Sequence, residues 1–113
     1  MKKFIFDEYH SCINPNRLEI GDKDFFVEIQ TACNDGKWYN GYWYWTRGHT
    51  FDHRVYLDTY CFESEIEAVR NCAKNLIESF KCDNNQRIHK TIEVPDYIFK
   101  ELKSLMTPQL KLF

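Results

Sequence analysis

Between residues 25 and 45 the side chains alternate with a period of two, the mark of a strand with two different faces. Phe25, Val27 and Ile29 fall on one side, and Phe26, Glu28 and Gln30 on the other. Asn34-Asp35-Gly36 then signals a tight turn. The strand predicted after it holds all three tryptophans and three of the seven tyrosines between residues 38 and 45. Its even positions, Trp38, Asn40, Tyr42 and Tyr44, face one way; Tyr39, Gly41, Trp43 and Trp45 face the other. Aromatic residues favour a pleated, half-buried surface. Since both faces carry them, this is either a central strand covered twice or a strand with one face open. The pattern predicts the middle strand of a small antiparallel sheet. Weaker alternation predicts a short opening strand at 3–7, a brief strand at 17–20, and a third alternating strand at 55–62 after a polar loop at 47–53.

Beyond residue 63 the period lengthens to that of a helix. Ser64 and Glu67 have capping-box spacing, so each can satisfy an otherwise orphan amide at a helix start. Ile66, Val69, Ala73, Leu76, Ile77 and Phe80 then lie on one stripe, opposite Glu67, Arg70, Lys74 and Glu78. A polar connection at 81–87 and a short strand at 91–94 follow. Pro95 suits a helix start because its missing amide would have no partner there. Ile98, Leu102, Leu105 and Met106 form the apolar stripe of a second helix, which Pro108 ends. The expected fold is α+β: an antiparallel sheet of three or four strands, one long helix packed across it, and a short C-terminal strand and helix. Residues 1–108 form one domain, and 109–113 an extended tail.

Composition supports a folded chain, with 43% hydrophobic and 17% aromatic residues among 113. A net charge of −2 gives no global basic field to attract nucleic acid. No apolar run approaches the length of a membrane span, and five cysteines without C-x-x-C spacing fit reduced thiols. These features predict a cytoplasmic protein with no cofactor.

Candidate chemistry is sparse. His49 and His53, four apart, would share a face on a helix, but Gly48 and Thr50 argue for a loop, and no third ligand follows. His10 lies near Cys12 only in sequence. There is no phosphate-binding glycine loop and no nucleophile elbow, so neither a catalytic nor a metal site is predicted. The aromatic strand invites two binding readings. Trp38, Tyr42 and Tyr44, with Lys37, Arg47 and Arg54 nearby, form a candidate platform for stacking unpaired bases of single-stranded nucleic acid, or a protein interface.

The last five residues are more specific. Gln109-Leu110-Lys111-Leu112-Phe113 resembles the Gln-Leu-x-Leu-Phe peptide by which bacterial polymerases, mismatch-repair proteins and phage factors dock on the DNA polymerase III sliding clamp. The resemblance covers these residues alone, with every defined position matched. It implies that Leu112 and Phe113 enter the clamp's apolar pocket, that Gln109 hydrogen-bonds at a neighbouring subsite, and that Leu110 packs at the rim. A small, non-enzymatic bacterial, phage or mobile-element protein is the expectation, acting as an adaptor or an inhibitor of host DNA-processing or defence machinery, with a second protein partner of unknown identity. In the body, three strands and an amphipathic helix resemble the layout of HicB-type antitoxins and double-stranded-RNA-binding-like folds. Residues 91–106 resemble the start of a ribbon-helix-helix unit without its second helix.

Overall fold

A computed structural model describes residues 2–85 and 92–106. Four strands, β1 (Asn16–Gly21), β2 (Phe25–Asn34), β3 (Lys37–Thr46) and β4 (His49–His53), form one antiparallel sheet in the order β1-β2-β3-β4. Two helices follow, α1 (Glu65–Asn85) and α2 (Asp96–Ser104). The class is α+β, and the aromatic strand is an inner strand.

The β2–β3 and β3–β4 hairpins each turn through two residues with positive φ, Asp35 and Gly36 in one and Arg47 and Gly48 in the second. That geometry matches the twist of the flanking strands. The second turn was hidden in the sequence, because arginine rarely adopts positive φ. Residues 49–53, expected to be a polar loop, are therefore the edge strand β4. The strand expected at 55–62 is absent. Val55 is fully buried, Ser11 makes a single bridge with Tyr56, and Phe62 makes one with Trp38. After β4 the chain leaves the sheet edge, passes over β3 beside Gly41, and returns to the edge at Phe62. The Phe62 amide donates to Trp38 O at 2.7 Å, and the Trp38 amide donates back at 2.9 Å.

One face of the sheet is covered by α1. Phe25, Val27, Ile29 and Tyr44 meet Val69, Cys72, Ala73, Leu76, Ile77 and Phe80 in the main core. Ser64 Oγ accepts from the Glu67 amide at 3.2 Å, as half of the capping box requires; the Glu67 carboxylate accepts from the Glu63 amide instead. Glu65 ties the helix start to the sheet by accepting from Asn16 Nδ2 and Thr31 Oγ1, both at 2.8 Å. The helix runs one turn further than its apolar stripe suggested. The reason lies in Asn84, whose amide donates to Val94 O at 3.0 Å and accepts from the Val94 amide at 2.8 Å. This side chain supplies the pairing a neighbouring strand would have supplied, and Ile92–Pro95 belongs to no strand. Thr91 lies outside the described residues. Pro95 precedes α2, which buries Ile98 and Leu102 in the same core; the C-cap residue Leu105 joins them, and Met106 after it is exposed.

The other face carries a second, smaller cluster. Cys12, Ala32 and Val55 are buried there, with Phe4, Phe6 and Tyr39 packed around them. Residues 3–7, expected to form a strand, contribute one bridge from Phe6 to Cys12 and otherwise act as a cover.

Candidate partner-binding surfaces

The two faces of β3 have different fates, and this decides which aromatic residues are accessible. On the helix side, rings form a stacked row across β3 and β4: Tyr42 lies 5.9 Å from Tyr44 and 5.9 Å from His53, and Tyr44 lies 4.8 Å from Phe51. Phe80 of α1 meets Tyr44 edge-on at 5.0 Å. Tyr44 is only 6% exposed and belongs to the core. Burial pushes its phenol up to about 12, and the enclosed Cys72 thiol likewise up to about 12. A group whose proton is held more tightly in the folded state destabilises the fold as alkali removes that proton from the unfolded chain. Cys72 therefore contributes this loss as pH rises above the ordinary thiol value of 9.0, and Tyr44 above 10.0. Urea midpoints are expected to fall between about pH 8 and about pH 10.5, with a shallower slope in Cys72→Ala.

The set suggested for base stacking is thus divided. Tyr42 is half-buried in the row, Tyr44 lies beneath the helix, and Trp38 packs edge-on against Phe4 at 5.9 Å. Lys37 is bound to the Glu63 carboxylate at 2.6 Å, which raises its pKa through that hydrogen bond first. Arg47 sits in the β3–β4 turn, and Arg54 follows β4. Trp38 and Lys37 therefore stand at one end of β3 and Arg47 just beyond the other. These residues do not form one platform.

A second aromatic surface lies on the opposite face, where Phe26, Trp43 and Trp45 are half-buried and Phe26 meets Trp43 edge-on at 5.4 Å. Beside Trp43, a shallow depression of about 270 Å³ is lined by Cys12, Arg17, Gln30, Asp52 and Arg54, among others. Arg17 donates to Glu28 at 2.9 Å and Gln30 to the same oxygen at 2.8 Å, so this surface mixes both signs of charge. Its composition fits a protein interface better than a polyanion. The alternation placed Trp43 and Trp45 together, but sequence gave no means of knowing that α1 would choose the even face.

Two other candidates resolve simply. His49 and His53 lie on a strand, where four residues span about 13 Å, too far to share an ion. Among the described residues no group of three or more His, Cys, Asp or Glu side chains is arranged to hold a metal. Cys12 is buried with its thiol against Asn14 at 3.6 Å, and all five cysteines are free. No helix among the described residues is long and apolar enough to cross a membrane. Gln109, Leu110, Leu112 and Phe113 lie outside the described residues.

The class these observations define is an α+β domain with a four-stranded antiparallel sheet, helices on one face and a partly open aromatic face. Comparison with protein-family models, with curated proteins and with solved structures finds no match to this chain.

Proposed function

We propose that this is a non-enzymatic protein-interaction module that docks on the bacterial DNA sliding clamp through Gln109, Leu110, Leu112 and Phe113. The observation that carries the reading is the Gln-Leu-x-Leu-Phe pattern, matched at every defined position. In the described residues before it, Ile98, Leu102 and Leu105 hold α2 and its C-cap in the core. The surface of Phe26, Trp43 and Trp45 is then available for a second protein, as an adaptor or an inhibitor of host DNA-processing or defence machinery requires. A phage or mobile-element origin fits that role, and the cytoplasm is where its partners reside.

Burying Leu112 and Phe113 contributes roughly 1.5–3 kcal/mol each, part of which is consumed in ordering the peptide. A dissociation constant in the micromolar range, about −8 kcal/mol, is the ceiling for the peptide alone. The test is fluorescence anisotropy or calorimetry of the full chain with a bacterial sliding clamp, beside Leu112→Ala/Phe113→Ala. The variant is expected to bind at least on the order of a hundredfold more weakly, with an unchanged melting temperature. An intact chain that fails to bind, or a variant that binds equally well, would remove the clamp from consideration. A variant that melts several degrees lower would assign these side chains to the core. Binding of single-stranded oligonucleotides with a steep loss in salt would favour the nucleic-acid alternative instead.

A further inference from the structure

The sheet ends at β1, and the direction of that strand's hydrogen bonds can be traced from the β2–β3 hairpin. A two-residue turn makes Asn34 and Lys37 a hydrogen-bonded closing pair. Odd residues of β3 then bond to β2, and even ones point away from it, as the Trp38 amide does toward Phe62. Odd residues of β2 accordingly face β1, and the even residues Asn16, Leu18 and Ile20 bond back to them. The amides and carbonyls of Arg17 and Glu19 therefore point outward. The next outward amide, that of Gly21, is closed by Glu101 Oε2 at 3.0 Å. At the other end Pro15 has no amide to offer. Among the described residues no further strand pairs with this edge; it is short, and its two outward residues carry opposite charges.

A second copy adding antiparallel about a two-fold axis has three registers that match outward residues with outward residues. An axis at Arg17 sets two guanidinium groups opposite each other. An axis at Glu19 sets two carboxylates opposite each other. Only an axis at Leu18 pairs Arg17 of each copy with Glu19 of the other, twice, while the two Leu18 side chains meet at the centre. Like charges opposite one another destabilise a sheet, and unlike charges stabilise it.

Two features of the single copy favour that register. Glu19 stands directly opposite Glu28, whereas Arg17 reaches diagonally to Glu28 at 2.9 Å. A like-charge pair is thus built into the edge, and a guanidinium on an added strand would offset it. On the helix side, Leu18 is only half-covered, beside a depression of about 280 Å³ lined by Leu18, Ile29, Val69 and Glu65. The second copy's Leu18 projects toward that side. The opposite edge lacks such complementarity, since the outward residues of β4 are Thr50 and Asp52.

We propose that the chain self-associates through β1, two four-stranded sheets joining edge to edge about Leu18. Sedimentation equilibrium of the full chain, from about 1 μM to about 1 mM, covers the range in which so small an interface dissociates. A monomer–dimer equilibrium is expected. Glu19→Arg and Arg17→Glu should each weaken it about tenfold or more, because each sets like charges opposite. The double exchange Arg17→Glu/Glu19→Arg should restore it. If Arg17→Glu fails to fold through loss of its bond to Glu28, Glu19→Arg, which spares that bond, carries the test. A monomer throughout the range, or a dimer indifferent to Glu19→Arg, overturns the proposal.

Discussion

Replacing Phe80 with alanine is expected to cost about 3–5 kcal/mol, the largest stability loss of any single truncation in this chain. Phe80 is fully buried at the centre of the helix–sheet interface. Its ring meets Phe25 edge-on at 5.6 Å, Tyr44 at 5.0 Å and Phe99 at 6.4 Å, so it joins β2, β3, α1 and α2 through one side chain. Such edge-to-face contacts add to the area each ring buries. Domains of this size are commonly stable by only about 5–15 kcal/mol, so the variant should melt on the order of 10–20 °C lower. Differential scanning calorimetry beside Lys74→Ala, an exposed change on the same helix, checks it. A drop for Phe80→Ala no larger than that control would mean that the four elements are not held together at this point.

Gly41→Ala is expected to be damaging for a different reason. A methyl group on Gly41 would lie 2.8 Å from the Arg54 carbonyl carbon and 2.9 Å from the Val55 amide nitrogen, closer than real contacts permit. Both obstacles are backbone, so no rotamer change relieves the overlap. Overpacking of this kind costs about 1–3 kcal/mol, and here it lifts the segment that covers the second cluster. Because Cys12 N–H donates to Val55 O at 2.9 Å and Leu57 N–H to His10 O at 3.0 Å, amide exchange at Cys12 and Leu57 should accelerate. Exchange at Ile29, held between β1 and β3, should change less. Equal acceleration everywhere would show that the crossing is not a separate unit.

The residue pattern by itself determined a great deal. Period-two alternation over 25–45, the Asn34-Asp35-Gly36 turn, the Ser64 cap and the stripe from Val69 to Phe80 are local features, each governed by a neighbouring residue or a fixed repeat, and each stands in the structure. Ile98, Leu102 and Leu105 of the second stripe were legible for the same reason, whereas Met106 stands outside the core. Tertiary structure alone decided the rest. Residues 55–62 alternate like a strand, yet Gly41 lets them cross the sheet, and Val55 satisfies its apolar character in the second cluster. Residues 49–53 look like a loop, yet register with β3 makes them a strand. The aromatic strand offered two similar faces, and only the docking of α1 on Tyr44 made one of them core and left Trp43 and Trp45 on the other. The charges of Arg17 and Glu19 are plain in the sequence, but which strand forms the edge, and which of its amides point outward, follows from hydrogen-bond parity across the assembled sheet. Short-range preferences set the elements here; long-range packing chose their faces and partners, because burial is a property of the whole sheet and not of any one segment.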